Sequence, residues 1–417
     1  MKTYIRTALG TALVGLTALS ACDQFLKVDN PNSLVSDAID PARDATLLSQ
    51  SVYQKYVSSL EDFFVYGAWF TNHARVGDTF PTRNEFGRRQ IPSTNTHIST
   101  FWNNLHSNLQ FARSTIKSTA AAGNTVDLVR DWFVSGESIL LEANYFCEGT
   151  IAENTTTPRG KMTISELLDS AIVDLKTVQT IAAAITPAST EATNLSTAAQ
   201  VGIAQALLQK GDKAGASAAA AAVPAAFTYS LAHIDNSTQR SLGNQIWSWS
   251  ESRISLVTGP EFRARADAGD PRIKYVDAGR LSQDGVLQFY RQNKFTGWGS
   301  SMRLASGLEA QYIKEEADQN PVTMIPFINV RRTAGGMAAY AGPVDLVSLT
   351  TELLTQKSYD FWLEGKDVPD FRRNPTIYPF VLQPGPNYYK PSLGPVASDV
   401  CWPVADAELR NNPKWVR

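Results

Sequence analysis

The sequence predicts a mainly α-helical protein: a scaffold of tetratricopeptide-like helical pairs, together with an irregular region of loops and short strands. Three observations lead to this prediction. Apolar residues recur at helical spacing over about 40–223, and again over 301–319 and 345–366. Capping residues and Gly or Pro stop signals divide these segments into helices joined by short turns. Over about 224–300 the helical period gives way to short β-rich runs interrupted by Gly and Pro.

The amino-terminal segment has the pattern of an export signal. Lys2 and Arg6 precede an uncharged run over 8–19, which is shorter than the roughly 20 residues that a bilayer-spanning helix needs. Small residues then lead to Cys22 in the sequence Leu-Ser-Ala-Cys, which resembles a bacterial lipobox. We therefore expect a signal peptide over 1–21 and a mature domain over 22–417 that begins at a lipidated Cys22. A plain signal peptide followed by an ordinary thiol is the alternative.

Composition limits the class of protein. Hydrophobic residues make up 43% of the 417 positions and charged residues 19%, as in a globular chain with an ample core. The net charge of -2 offers no basic footprint for nucleic acid. Besides Cys22, the chain has Cys147 and Cys401. Two separate buried thiols are the favoured interpretation, and a disulfide in an exported protein is the alternative.

The first half of the chain contains the clearest helical signals. Asp40 and Pro41 form a helix start, and an apolar face follows it as far as Leu60. A long loop is predicted over 76–95, where Gly and Pro recur and periodicity is lost. Helices are then predicted over 98–116, 129–150, 164–178, 198–209 and 213–223. Thr163 and Glu166 form a capping box before the third of these.

The second half of the chain has weaker signals. The β-rich runs of the irregular region are at 246–249, 254–257, 273–276 and 286–290. A helix is predicted over 301–318, a loop over 320–343, and a last helix over about 345–366, before a tail rich in Pro and Gly.

Several segments, in chain order, resemble motifs of the SusD/RagB family of outer-membrane nutrient-binding lipoproteins. The segment 136–146, GESILLEANYF, is similar to that family's GEARFLRAxxYF helix. The segment 361–366, FWLEGK, with Asp370-Phe371-Arg372, is similar to its FEGxRxxDLxR signature. Further matching segments lie at 164–175, 199–212, 269–272, 302–317, 328–331 and 402–413. Together they span almost the whole mature chain.

The resemblance implies a helical scaffold that docks on a SusC-like TonB-dependent transporter, while a more irregular face holds the ligand. In that family the protein captures oligosaccharides, or peptides in some members, and acts as a hinged lid over the transporter. The resemblance therefore implies a binding protein rather than an enzyme, lipid-anchored in the outer membrane and facing the cell exterior.

Candidate ligand-binding residues are aromatic side chains outside the strong helical segments, because sugar rings stack on such faces. Polar side chains beside them would orient a ligand. The aromatic candidates are Trp69, Phe80, Trp247, Trp249, Tyr290 and Trp298, and the polar candidates are Asp78, Arg83, Asn84, Arg291 and Asn293. For Trp298 the reason is its place between two glycines, which leaves it few neighbours along the chain. Core packing is the alternative for each aromatic residue, and a solvated loop for each polar residue.

No catalytic, metal or cofactor motif is found in the sequence. The four histidines form no His-x-x-x-His pair, no Cys-x-x-Cys occurs, and Gly335-Gly336 lacks the Lys that a phosphate loop requires. A secreted, lipid-anchored glycan hydrolase is the alternative function, because carboxylates can converge in a fold without a sequence signature. The binding protein of an ABC importer is disfavoured, since the strand–helix alternation of its two lobes is missing.

Overall fold

The computed structural model describes residue 40 and residues 43–123, 125–151 and 159–415. The predicted signal peptide, Cys22 and Pro41 lie outside the described residues. The described helices are α1 (Ala45–Phe70), α2 (Pro81–Gly87), α3 (Thr96–Ala122), α4 (Thr125–Tyr145), α5 (Ile164–Ala184), α6 (Thr190–Lys210), α7 (Lys213–Ala221), α8 (Gln245–Glu251), α9 (Pro260–Asp267), α10 (Gly307–Asp318), α11 (Pro321–Ala334), α12 (Leu346–Asp360), α13 (Asp367–Arg373) and α14 (Asp406–Asn411).

The mainly helical architecture is confirmed. Helices α1 and α3 to α7 form an array in which neighbours along the chain pack on one another, and α10 closes it against α6 and α7. Close approach is possible where the facing residue is small. A Cβ atom on Gly136 of α4 would lie 2.8 Å from the Leu175 side chain of α5, so this glycine lets the two helices approach.

Sequence signals at several helix ends are also confirmed. The Thr163 side chain accepts from the backbone N–H of Glu166, while the Glu166 carboxylate accepts from the Thr163 N–H, which completes the capping box. Gly211 ends α6 in the left-handed conformation. Helix α6 nevertheless begins at Thr190, eight residues before the predicted start, because Ser189 caps it.

The strands form two small antiparallel sheets. They are β1 (Ala74–Val76), β2 (Thr228–Leu231), β3 (Leu256–Thr258), β4 (Tyr275–Leu281), β5 (Gln288–Gln292) and β6 (Met302–Ser306). One sheet has the order β1-β3-β5-β4, and the other pairs β2 with β6. The larger sheet lies beside α8 and the end of α1. Three of the four predicted β-rich runs therefore contribute strands.

Four local predictions are wrong. The run 246–249 belongs to helix α8, in which Ile246 and Trp249 are buried in the core, so tertiary packing overrides the β-propensity of the aromatic residues. The start of the predicted helix at 301–318 is strand β6, which pairs with β2. The predicted loop 320–343 contains α11, capped by Asn320, and the loop 76–95 contains α2.

A disulfide joins Cys147 to Cys401, so the favoured interpretation of two separate thiols is wrong. Cys147 is exposed and Cys401 is half-buried, so neither is the buried core thiol that was expected. The bond ties the carboxy-terminal segment to the end of α4, where the backbone N–H of Trp402 also donates to the Tyr145 carbonyl at 2.7 Å.

Among the described residues, no helix is both long enough and apolar enough to cross a bilayer.

Removal of the disulfide is expected to lower the free energy of unfolding by about 2–4 kcal/mol, because the bond closes a long loop in the unfolded chain. The two cysteines are 254 positions apart. Urea denaturation with and without dithiothreitol measures the effect. The double variant Cys147→Ser/Cys401→Ser is the control and should be insensitive to the reductant. An unchanged midpoint for the reduced natural chain would contradict the expectation.

Candidate functional site

The predicted ligand-binding residues fall into three separate groups in the structure. One surrounds the Arg83 side chain, the second is the pair Trp247 and Trp298, and the third lies where β4 meets β5. The groups differ in how much of each side chain faces solvent, and this decides which of them can receive a ligand.

Two aromatic candidates belong to the core, so the prediction of ligand contact is wrong for them. Trp69 is 1% exposed and Trp249 is 2% exposed. Trp69 lies in the last turns of α1, where residues 63–70 are all buried. The Trp249 indole N–H donates to Asp62 at 2.7 Å. The unbroken apolar run over 63–70 carries the signal for such burial, since a helix that is apolar all round is a buried one.

The Arg83 guanidinium is stacked between two aromatic rings. Its central carbon lies 4.5 Å from the Phe80 ring centroid and 4.8 Å from that of Trp249. Asp78, whose side chain is 1% exposed, forms an ion pair with Arg83 and accepts from the Ser255 hydroxyl at 2.9 Å. The charge of Arg83 is therefore neutralised within the protein by Asp78.

Asn84 is buried and serves the same local structure. Its amide nitrogen donates to the carbonyls of Asp78 and Phe80, and its oxygen accepts from the Tyr388 hydroxyl. Asp78 and Asn84 are thus structural residues, which corrects the prediction for both. Only Phe80, which is 52% exposed, presents a free surface in this group.

Trp247 and Trp298 pack edge to face, with ring centroids 4.6 Å apart. Trp298 is 8% exposed, and a Cβ atom on Gly243 would lie 2.6 Å from its ring. Its backbone carbonyl also accepts from the Asn244 N–H at 2.8 Å. The two flanking glycines do leave Trp298 without neighbours along the chain, but residues 243–247 cover it instead. This largely buried ring contradicts the prediction that Trp298 is a ligand platform.

The third group borders an open depression of about 490 Å³ at the junction of α9, β4 and β5. The lining residues are Ala266, Asp267, Ile273, Lys274, Tyr275, Asp277 and Asn293. The predicted residue Asn293 is among them, and the predicted residue Tyr290 stands beside it through a ring contact with Tyr275 at 5.9 Å. We call this the Tyr275 depression.

The sheet register holds the walls of the Tyr275 depression in place. Tyr275 pairs with Gln292, and Asp277 pairs with Tyr290, so Tyr275, Asp277 and Tyr290 share one face of the sheet. Beyond the end of β5, the Asn293 backbone N–H donates to the Lys274 carbonyl at 2.7 Å. Arg291 points to the opposite face and pairs with Glu251, so the structure does not bring this predicted residue to the depression.

Polar groups in the Tyr275 depression are oriented by hydrogen bonds. The Tyr275 hydroxyl donates to Asp267 at 2.6 Å. This contact raises the pKa of the Tyr275 hydroxyl, with a smaller contribution from burial. Asp277 accepts from the Gly279 backbone N–H and the Gln288 amide, and these bonds lower the pKa of its carboxyl. Both carboxylates are thus fixed as hydrogen-bond acceptors.

The depression carries groups that can bind a sugar. Tyrosine faces can stack on an apolar ring face, while carboxylates, an ammonium group and an amide can bind hydroxyl groups. A hydrolase would need a carboxyl with a raised pKa near its partner. Burial raises the pKa of Asp131 and Asp367 to about 6 and that of Glu137 to about 7, and none of the three lines the depression.

Residues 43–123, 125–151 and 159–415 contain no cluster of His, Cys, Asp and Glu that could hold a metal ion.

Of the predicted residues, Asn293 lines the depression and Tyr290 contacts its Tyr275, whereas Asp267, Lys274 and Tyr275 were not among the predicted residues. The available signal was the alternation of Tyr275 and Asp277 along a short strand, which places both on one face. Their meeting with Asn293 and α9 depends on strand pairing, which the sequence does not specify.

The fold is similar to several solved structures. A SusD superfamily protein from Bacteroides thetaiotaomicron matches with a TM-score of 0.68 at 14% identity, over 90% of this chain and 99% of that chain. A SusD-like carbohydrate binding protein from Bacteroides vulgatus matches with a TM-score of 0.67 at 14% identity, over 90% and 97%. A laminarin binding SusD-like protein matches with a TM-score of 0.67 at 13% identity, over 90% and 98%.

No family model and no curated protein matches the sequence. The structural likeness shows that the chain has the SusD-like fold, as the sequence motifs predicted.

The Arg83 stack generates a stability prediction. Arg83→Ala is expected to lower the free energy of unfolding by about 3 kcal/mol, because it leaves the buried Asp78 carboxylate without its ion pair. Phe80→Ala is the matched control and should change it by less than about 1 kcal/mol, because the ring is half-exposed. Urea denaturation of both variants tests this. Equal midpoints for Arg83→Ala and the natural chain would refute the structural role of the ion pair.

Proposed function

We propose that the chain is a SusD/RagB-type binding protein that captures oligosaccharides in the Tyr275 depression and delivers them to a SusC-like TonB-dependent transporter. The observation that carries this proposal is the combination of the SusD-like fold with an aromatic-lined, polar depression on its sheet side. Two proteins with the same fold are named for carbohydrate and laminarin binding, which supports the ligand class.

The depression supports capture without cleavage. Tyr275 and Tyr290 present rings at an angle of 73° to each other, so a sugar ring that stacks on one of them meets the edge of the other. Asp267, Asp277, Lys274 and Asn293 then supply acceptors and donors for its hydroxyl groups. The lowered pKa of Asp277 keeps that carboxyl ionised at neutral pH, which suits an acceptor and does not suit a general acid.

Export of the chain is part of the proposal. The disulfide between Cys147 and Cys401 supports folding in an oxidising compartment, where such bonds form and persist. The lipobox-like sequence before Cys22 supports lipid anchoring, which needs no membrane-spanning helix. In this proposal the acyl chains hold the protein at the outer membrane, facing the exterior, and the whole chain moves as a lid over the transporter.

Isothermal calorimetry with a panel of neutral and acidic oligosaccharides tests the binding function. We expect Tyr275→Ala and Asn293→Ala each to weaken binding about tenfold, through loss of stacking and of a hydrogen bond respectively. Phe80→Ala is the matched aromatic control, because Phe80 is exposed but belongs to the Arg83 group, and it should bind normally. Chromatography of the incubated sugars should show no shortened products.

Two outcomes would contradict the proposed function. Absence of binding to every oligosaccharide would refute oligosaccharides as the ligand class. A short peptide library would then test peptides, the alternative ligand. Shortened products formed by the purified chain would favour the glycan hydrolase.

The anchor is tested separately from the ligand. Mass spectrometry of the protein from the membrane fraction should find a mature chain that starts at an acylated Cys22. Cys22→Ser should release the protein into the soluble fraction while its sugar affinity stays unchanged, because the residue lies far along the chain from the depression. A Cys22→Ser protein that remains in the membrane would refute the anchor. Co-purification in mild detergent tests the transporter as partner.

A further inference from the structure

Two half-buried arginines on the sheet side of the fold each stack on an aromatic ring. Arg263 lies on α9, with its guanidinium carbon 3.7 Å from the Tyr290 ring centroid. Arg75 lies on β1, with its guanidinium carbon 4.7 Å from the Tyr389 ring centroid. Both side chains are half-buried. Among the described residues, neither has an ion-pair partner or a side-chain hydrogen bond, and the Nε atom of each is buried without a partner.

Several other arginines in the same part of the fold are paired. Arg265, two residues after Arg263 on α9, forms an ion pair with Asp270. Arg272 pairs with Asp270 and Asp360, and Arg291 pairs with Glu251. Burying a guanidinium without a hydrogen-bonded counter-charge is unfavourable, so paired arginines are the ordinary solution. Arg263 and Arg75 are therefore half-buried cations without an ion pair among the described residues.

The positive charges of the two unpaired arginines also repel each other. Burial and, to a smaller extent, the charge of Arg263 lower the pKa of Arg75. Glu261 and Asp277 are the carboxylates that interact with this pair at longer range. Neither forms an ion pair with Arg75 or Arg263 within the described residues, so the repulsion between the two cations is only partly offset.

An anion bound at Arg263 would supply the missing counter-charge and an acceptor for its unpaired Nε–H. A guanidinium binds a carboxylate or a sulfate through two parallel N–H···O bonds, and the ring beneath it holds the fork in one orientation. Tyr290 supplies that ring, and it contacts Tyr275 of the depression. A sugar ring stacked in the depression could thus direct an acidic substituent towards Arg263.

We propose that Arg263, with Arg75 as a second cation at longer range, makes the Tyr275 depression selective for oligosaccharides that carry carboxylate or sulfate groups. This inference rests on the proposed function, because it assigns a class of ligand to the same site. Arg263 is then a specificity-determining residue, and the tyrosine rings bind the part of the ligand that acidic and neutral sugars share.

Calorimetry with matched ligands tests the selectivity. The probes are tetragalacturonate and its methyl-esterified form, and a sulfated galactan tetrasaccharide and its desulfated form. At least one acidic probe should bind roughly 10- to 100-fold more tightly than its neutral counterpart, as expected for a charge-assisted hydrogen-bonded contact. The stronger of the two pairs identifies the anion. The preference should shrink as sodium chloride is raised, because salt screens partly exposed charges.

Substitutions assign the preference to named residues. Arg263→Gln should abolish it and leave the affinity for the neutral form within about twofold, whereas Arg263→Lys should keep part of it, because an ammonium retains the charge but not the fork. Arg75→Gln should reduce it, which provides a second test if Arg263→Gln is unstable. Arg410→Gln is the charge-matched control on α14 and should behave as the natural chain does.

The outcomes separate this inference from the proposed function. Equal affinities for acidic and neutral forms, or a preference that survives Arg263→Gln, would overturn the selectivity and leave the binding function standing. Absence of binding to all four probes and to the wider neutral panel would overturn both.

Discussion

The fold depends on the burial of the last two turns of α1 on all sides. Residues 63–70 are all buried, and their rings contact several separate parts of the chain. Phe63 packs on Phe101 of α3, Tyr145 of α4 and Trp402 of the carboxy-terminal segment. Tyr66 and Trp69 pack on Trp249 of α8. Each buried aromatic side chain contributes about 2–3 kcal/mol through the hydrophobic effect, so this one segment joins the helical array to the sheet side.

This arrangement also positions the Tyr275 depression. Strand β1 follows α1 after only three residues and forms the edge of the sheet whose other edge is β4. The Tyr275 depression therefore lies on a sheet that is attached to the core through α1 and α8, and its walls do not depend on one long loop. A site whose residues are held by strand register is largely formed before a ligand arrives, which reduces the entropic cost of binding.

The sequence predicted the helices wherever the apolar periodicity, a capping residue and a stop signal agreed. Helix α5, which begins after the Thr163 cap and ends at Ala184, is an example. It failed where packing between distant segments decides the local structure. Trp247 and Trp249 read as strand residues, but they lie on a helix because Ile246 and Trp249 are buried in the core. The disulfide was missed for a similar reason, since only the fold brings Cys147 and Cys401 together.

The candidate site was predictable in chemistry and only partly in position. The candidates were aromatic residues outside strong helical segments, but a gap in helical periodicity did not separate exposed rings from buried ones. Trp298 illustrates this, since its neighbours come from residues 243–247 and not from its own glycines. Tyr290 was a candidate as an aromatic residue outside the helical segments and Asn293 as a polar residue beside it, whereas the positions of Asp267 and Tyr275 at the depression depend on α9 and on the pairing of β4 with β5.

The distribution of paired charges supports the proposal that a ligand binds on the sheet side. Around Asp360 the structure neutralises its charges internally, with Arg331 at 2.7 Å, Arg272 at 3.3 Å and the Tyr312 hydroxyl at 2.5 Å. Such a network leaves no strong donor free to bind an incoming ligand, because each of these donors already has an acceptor. Arg263 stacks on the Tyr290 ring but has no counter-charge, so unlike the arginines around Asp360 it still has a donor that can bind an anion. A desolvated donor without an acceptor favours binding of a ligand that supplies one, and the Nε atom of Arg263 is such a donor, beside the Tyr290 ring that contacts Tyr275 of the depression.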